Sequence, residues 1–158
     1  MSVIIRKLSM MEDLHQCAEM MSSSEPWITL QRDYEKAVRV FQEELNENYV
    51  AEVSGRIAGF MILQLRGAFV GYIRSLGVAP EMRGQGIGTA LLDFAEELVF
   101  SMYPNLFICT SSFNPRARAL YERRGFREVG ELTEFIVPGH SEILMRKTTG
   151  PLCSFARA

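Results

Sequence analysis

The sequence predicts a mixed α/β (α+β) fold: a mostly antiparallel sheet of six to seven strands containing one parallel pair, with flanking helices. Three observations carry this. YVAEV, RIAGFMILQL and AFVGYIRSLGV follow one another with short turns between them, which reads as an antiparallel meander. SLGV, a glycine-rich loop, a long amphipathic stretch and the apolar LFICT then form a strand–helix–strand unit, and a crossover of that kind sets its two strands parallel. FREVGEL and EILMRK, behind one more helix, supply the closing strands.

The elements follow in order. VIIRKL, residues 3–8, reads as a first strand. Ser9 and Glu12 stand at capping-box spacing, and the helix they would open turns Leu14, Cys17, Ala18 and Met21 inward. SSSEPW breaks it. A second helix is expected over about residues 30–46, with Tyr34, Ala37, Val38, Phe41 and Leu45 at helical spacing. The meander comes next, its hairpin turned at Ser54 and Gly55 and its third strand reached past Arg66 and Gly67. Behind the glycine loop, Ile87, Ala90, Leu91, Phe94, Leu98 and Met102 recur at helical intervals, so a long helix should run to about residue 102 and cover the sheet. Pro104 and Asn105 stop it. Asn114 caps a further helix with Pro115 at its first position, and Gly125 ends it behind Arg123 and Arg124. FIVPGHS is irregular and TTGPLCSFARA lacks a strong pattern, so the expectation is one domain over 1–148 with a C-terminal tail over 149–158.

Composition narrows the function classes. A chain of 158 residues with 47% hydrophobic content fits one domain with a proper core. With 17 basic and 19 acidic residues the net charge is -2, which provides no global field for a polyanion; nucleic acid and membrane surfaces are not expected partners. Apolar runs fall short of the ~20 residues a membrane span needs, and MSVIIRKLSMMED lacks a signal-peptide core, so a cytoplasmic protein is expected. Cys17, Cys109 and Cys153 are odd in number and widely spaced, and His15 and His140 are isolated; neither a disulfide framework nor a metal site is expected.

The chemistry begins at APEMRGQGIGTALL, residues 79–92. A glycine-rich turn that opens a helix meets phosphate readily, because the first amides lack intrahelical partners and the helix dipole adds positive potential. Two phosphate-binding patterns fail here. After Gly84 and Gly86 a dinucleotide fingerprint needs glycine where Thr89 stands, and the position about 20 residues after Gly88 is Ile108 rather than an acid. A P-loop needs lysine before its hydroxyl residue, but Ile87 and Gly88 precede Thr89. What remains is an R-x-x-G-x-G loop from Arg83 to Gly88. Downstream, NPRARALYERRGF places Asn114 and Tyr121 two helical turns apart, on one face.

The loop resembles the acyl-CoA loop of the GNAT superfamily of N-acetyltransferases, and residues 114–126 resemble its N-x-x-A-x-x-L-Y-x-x-x-G-F segment at Asn114, Ala117, Leu120, Tyr121, Gly125 and Phe126. The element order matches over most of the chain. The resemblance implies acetyl-CoA as co-substrate, without metal. Arg83, Gly84, Gln85, Gly86, Ile87, Gly88 and Thr89 would form the pyrophosphate cradle, the glycines removing side chains that would hold the ligand away. Leu76 and Val78 would offer backbone groups to the pantetheine arm, where the parallel strands splay near Gly77, a residue that suits a bulge. A backbone N–H near Val78 would meet the oxyanion, Asn114 would hold the cofactor through its side chain, and Tyr121 would protonate the departing sulfur.

No base is assigned. The ribosomal-protein alanine acetyltransferases carry a glutamate in the strand before the asparagine, where this chain has Cys109, and Arg74 stands where many relatives carry a carboxylate. Proton removal through water to Glu52, Glu25 or Asp33, or without a side-chain base, stays open. Arg74 would pair either with a substrate carboxylate or with an acid of the chain itself, and Trp27 either walls the acceptor pocket or plugs the core edge. Arg116, Arg118, Arg123, Arg124 and Arg127 read as a solvated face from which one or two residues attract nucleotide phosphates. The implied activity is direct acetyl transfer to a primary amine of a small metabolite or amino-acid-like acceptor. A peptide N-terminus or lysine is the second choice, and a non-catalytic acyl-CoA sensor the third. A homodimer is compatible with the resemblance, but no sequence feature marks an interface.

Overall fold

Period-two alternation of apolar residues builds a seven-stranded sheet with helices on both faces. The computed structural model describes residues 2–156; Met1 and the last two residues of the expected tail lie outside the described residues. In chain order the elements are β1 (Ile4–Lys7), α1 (Met11–Ser22), α2 (Tyr34–Gln42), β2 (Asn46–Val53), β3 (Arg56–Gln64), β4 (Tyr72–Val78), α3 (Ile87–Phe100), β5 (Asn105–Ser111), α4 (Pro115–Arg123), β6 (Arg127–Thr133) and β7 (Ser141–Thr148). The strand order is β1-β2-β3-β4-β5-β7-β6. Every neighbouring pair is antiparallel except β4 with β5, as expected.

On one face, Ile87, Leu91, Leu92, Ala95 and Val99 of α3 pack against Met61, Leu63, Ile73, Leu106, Ile108 and Met145. On the other, α1 and α2 set Leu14, Cys17, Met21, Ala37 and Phe41 over Val50, Phe60 and Ile62. Because β3 is buried on both faces, its sequence is a continuous apolar run rather than an alternating one.

Several local expectations are corrected. The residue preceding α1 is Met10, so the Ser9–Glu12 capping box does not form; the Asp13 carboxylate instead accepts from the Ser9 and Met10 amides at 3.3 and 3.4 Å. The second helix is shorter than residues 30–46. Residues 30–33 form a turn in which Arg32 N–H reaches the Trp27 carbonyl at 2.9 Å, Asp33 caps α2 through the Lys36 amide, and Asn46 already belongs to β2. Tyr34 and Leu45 are consequently exposed, while Val40 is buried. In α3 the buried stripe lies one residue round from the expected one, centred on Leu92, Ala95 and Val99, and the helix ends at Phe100. Of AFVGYIRSLGV only the part from Tyr72 is strand.

The wedge between β4 and β5 positions everything that follows. The two strands pair only at Tyr72 with Phe107 and Ile73 with Ile108, so they part just after Ile73, four residues before Gly77. The bulge is earlier too: Ile62 faces Ser75 and Leu63 faces Ile73, which leaves Arg74 as the extra residue. Gly77 is small for another reason. A Cβ there would lie 2.5 Å from Cε1 of Phe60 and 2.9 Å from Cη2 of Trp27.

Candidate active site

A cleft of about 830 Å³ fills the wedge. Its volume is that of a small-molecule site. The glycine loop closes one end, α4 flanks it, and the connection between α1 and α2 covers the other end.

At the loop end, Gly84 and Gly86 have φ of +76° and +84°, conformations that side chains bearing a Cβ rarely adopt. A Cβ at either would meet nothing within 4 Å, so this left-handed backbone borders open space. Gly86 immediately precedes α3, leaving the first amides of that helix without intrahelical partners. Arg83, Gly84, Gly86, Ile87, Gly88 and Thr89 line the cleft, whereas Gln85 does not; its side chain folds back to the Glu81 carbonyl at 3.2 Å, leaving only its backbone to face a ligand. Arg83 Nε donates to the Val78 carbonyl at 3.2 Å, tying the loop to the end of β4. The arginines divide: Arg118 pairs with Glu122 and Glu128, and Arg124 with Asp93 and Glu96, but Arg116 and Arg123 line the cleft. Arg127 lies exposed on β6.

Along the wedge, Leu76 and Val78 line the cleft from a stretch of β4 that has β3 on one side and no strand on the other. Asn114 is the cap of α4, its Oδ1 accepting the Ala117 amide at 3.2 Å; its amide nitrogen makes no hydrogen bond among the described residues, and the residue borders the cleft. Tyr121, on the same helix face, is 7% exposed and also borders it. Burial pushes its phenol up to about 12, and its hydroxyl makes no hydrogen bond among the described residues. Thr110 also lines the cleft, with a buried hydroxyl that has no partner among the described residues. An unpaired strand edge, an orphaned hydroxyl and a glycine cradle fit an extended ligand with a phosphate end.

The other sheet face holds a second set of groups. Ile73, Ile108, Ile143 and Met145 pack with Tyr121 under α3, so alternation turns Tyr72, Cys109, Ser111 and Glu142 to the side of the α1–α2 connection. Ser111 pairs with Glu142 in the ladder, and its hydroxyl donates to Glu142 Oε1 at 2.6 Å. Glu142 is 6% exposed, and burial raises its carboxyl above the usual carboxylate range against the opposing pull of Ser111 and Arg32. Burial likewise raises the Tyr72 phenol and the Cys109 thiol. Arg32 comes down from the α1–α2 connection, half-buried, with no ion pair among the described residues; burial and the neighbouring Arg74 lower its pKa.

The remaining sequence candidates sort plainly. Arg74 pairs through both guanidinium nitrogens with Glu43, an acid of the chain itself. Trp27 both plugs and walls: its ring lies 5.5 Å from that of Phe60, and the residue borders the cleft. Among the three acids considered as relays only Glu25 borders the cleft, and its carboxylate accepts from Thr29; Asp33 caps α2 and Glu52 pairs with Arg6. Sequence reasoning missed Glu142 and Arg32. No local signal singles out Glu142, one of three charged residues in EILMRK; its burial beside Ser111 appears only once β5 and β7 pair. Among the described residues no three His, Cys, Asp or Glu side chains group as a metal site, and no helix is long and apolar enough to cross a membrane.

Comparison with known proteins adds the lineage. Residues 8–126 match the acetyltransferase (GNAT) family. An uncharacterised N-acetyltransferase of Methanocaldococcus jannaschii is 38% identical over 112 residues, spanning 66% of this chain and 70% of that protein. An N-alpha-acetyltransferase of Sulfurisphaera tokodaii is 29% identical over 122 residues, spanning 66% and 73%. The ribosomal-protein alanine N-acetyltransferase of Escherichia coli has the same fold, with a TM-score of 0.76 at 22% identity over 95% of this chain and 96% of its own.

Proposed function

The chain belongs to the acetyltransferase (GNAT) family, and from that premise we propose that it moves an acetyl group from acetyl-CoA directly to the primary amine of a small metabolite or amino-acid-like acceptor. The observation that carries the proposal is the wedge, one cleft that joins a phosphate cradle at Gly84–Thr89 to Tyr121 and to polar groups on the far face of the sheet. The loop amides hold the pyrophosphate, with Arg83, Arg116 and Arg123 supplying positive charge beside it. The free edge of β4 at Leu76 and Val78 holds the pantetheine arm, the Asn114 amide nitrogen fixes it from α4, and a backbone N–H near Val78 meets the oxyanion.

Tyr121 gives its proton to the sulfur as the C–S bond breaks. An alkyl thiol titrates at about 8.5 in water, below the buried phenol, but burial lifts the thiolate in the same way because it too is an anion leaving water. The test is thiol release from acetyl-CoA across amines, amino acids and short peptides, with Tyr121→Phe beside the wild type. The variant should lose about 100-fold in kcat while binding coenzyme A within about twofold of wild type. An unchanged rate removes Tyr121 from the chemistry, and failure to bind acetyl-CoA removes the enzyme reading altogether. A second reading, acetylation of a peptide α-amine, is favoured by the name of the Sulfurisphaera tokodaii relative; the same panel separates it by including peptides.

A further inference from the structure

The acceptor side of the cleft holds two opposite charges, and neither is neutralised by an ion pair of its own. Glu142, buried on β7, accepts one hydrogen bond, from Ser111 to Oε1, while Oε2 has no partner among the described residues. Oε2 is not sealed from solvent, so its acceptor positions stay open toward the cleft. Arg32 borders the same cleft with its guanidinium donors uncommitted among the described residues. Arg74 on β4 is held by Glu43 beyond the end of α2, and the Glu25 carboxylate, which borders the cleft from the α1–α2 connection, is engaged by the Thr29 amide and hydroxyl. Tyr72 of β4 and Cys109 of β5 complete the surroundings of Glu142 and stay neutral.

A cleft face that presents one cation and one anion fits a ligand carrying one of each. A polyamine would meet Arg32 and Arg74; a peptide N-terminus would leave Arg32 without an anion. We propose that this face binds the zwitterionic end of a free amino acid, Arg32 receiving its carboxylate and Glu142 its ammonium, and that Glu142 is the base that deprotonates the attacking nitrogen. This rests on the acetyltransferase reading above.

Glu142 fits the base role by position. Cys109 pairs with Leu144 in the ladder, which makes Glu142 its diagonal neighbour on the same face. The carboxylate therefore reaches the wedge from the adjacent strand. The protons balance: the ammonium has three N–H bonds and the amide product one, so two protons leave nitrogen as the C–N bond forms and the C–S bond breaks. One passes through Glu142 to solvent. The other replaces, by way of water, the proton that Tyr121 gave to sulfur.

The experiment is thiol release from acetyl-CoA with free α-amino acids, β-alanine and γ-aminobutyrate, each beside its own carboxamide, together with spermidine as a carboxylate-free amine. Thermal shifts of the coenzyme A-saturated protein with the same compounds supply a binding readout. Wild type should prefer acid over carboxamide by about 10- to 150-fold in kcat/KM, the range of a charge-assisted hydrogen bond. Arg32→Gln should erase the preference, raising KM for the acid by far more than KM for its carboxamide. Glu142→Gln, isosteric and able to keep the Ser111 hydrogen bond, should lower kcat about 100-fold and flatten the acidic limb of the kcat profile. Equal use of acids and carboxamides, equal losses for both in Arg32→Gln, or an unchanged acidic limb in Glu142→Gln overturns the proposal. Turnover of spermidine with neither turnover nor a thermal shift from any amino acid sinks the amino-acid site and leaves the acetyltransferase standing. Amino-acid thermal shifts without thiol release from any amine do the reverse.

Discussion

Replacing Gly77 by alanine adds one methyl group at the point where the wedge meets the core of α1 and α2. The new Cβ would stand 2.5 and 2.6 Å from Cε1 and Cζ of Phe60 and 2.9 Å from Trp27 Cη2. Carbon atoms settle at about 3.5–4.0 Å, so two rings must retreat by roughly an ångström. Phe60 is fully buried, with ring centroids 5.5 Å from Trp27 and 5.3 Å from Phe41, which leaves it little room. Overpacking of this kind costs about 1–3 kcal/mol, and the rigidity of the rings argues for the upper half; lost unfolded-state entropy returns about 0.4–1 kcal/mol, for a net of about 2 kcal/mol. An unfolding entropy of about 2.1 cal/mol/K per residue converts that to a Tm lower by about 6 °C. The assay is thermal unfolding of wild type, Gly77→Ala, Phe60→Leu and the double variant. Phe60→Leu alone destabilises by opening a cavity, but it relieves the nearer of the two clashes and leaves only Trp27 to shift, so Gly77→Ala should cost clearly less in its presence than in wild type. A Gly77→Ala protein melting within about 2 °C of wild type, or strictly additive losses in the double variant, refutes the steric argument.

Other consequences are as direct. Gly86→Asp combines strain at φ +84° with negative charge in the phosphate cradle and should abolish coenzyme A binding in a titration; retained affinity would place the phosphates elsewhere. Asp13, 3% exposed, is held below its usual carboxyl range mainly by Arg6, whose Nη1 donates at 2.7 Å. That depressed folded value means its stabilisation is complete above the unfolded value near 3.9 and is lost as pH falls through the folded one. Asp13→Asn should cost about 2 kcal/mol at pH 7, below the full range for a buried pair because Arg6 is partly exposed and keeps Glu52, and the gap in Tm should close as pH falls through the depressed folded value. A gap independent of pH would assign the loss to packing. Cys17 is fully buried, with its thiol pushed up to about 12 by burial, while Cys153 is exposed. A disulfide-exchange reagent at pH 8 should therefore modify Cys153 quickly in the native protein and Cys17 only on unfolding, and rapid native labelling of Cys17 would contradict the packing of α1.

The order of strands and helices was legible because each rests on a local signal: the hairpin at Ser54 and Gly55, the cap at Asn114 with Pro115, the stop at Gly125. Boundaries that tertiary contacts decide were not. The second helix keeps its periodicity on paper as far as Leu45, but Asn46 hydrogen-bonds from its side chain to the Val40 carbonyl at 2.6 Å and pairs with Gln64 in the sheet, so the strand claims the chain first. Gly77 suits a bulge by residue type, whereas the chain puts the extra residue at Arg74, whose side chain leaves the sheet to reach Glu43. Gly77 was conspicuous for its size, and its size answers to Phe60 and Trp27, residues 17 and 50 positions away.

The site divides along the same line. The end proposed to hold phosphate is a run of loop backbone between Gly84 and Thr89, and a backbone cradle written as glycine spacing is visible in one dimension. The end proposed to hold the acceptor is made of side chains from Arg32, Ser111 and Glu142, which only the ladder between β5 and β7 and the cover of the α1–α2 connection bring together. An acid among 19 Asp and Glu residues has no local mark, and what distinguishes Glu142 is burial with one hydrogen bond, a property of the folded sheet. In the strand before Asn114, Cys109 stands where the ribosomal-protein alanine acetyltransferases carry a glutamate, and the chain's other candidate acids, Glu52, Glu25 and Asp33, each have partners of their own. The diagonal of an antiparallel ladder lies about 7–8 Å away on the same face, within reach of a glutamate side chain and a substrate amine between them, so the function can pass from one strand to its neighbour while the wedge keeps its shape. A base displaced in this way changes the side from which the amine must approach, and on that side stands Arg32. On the proposed amino-acid reading, Glu142 would supply the base that Cys109 cannot, and the uncommitted Arg32 would meet a carboxylate that the acceptor itself carries.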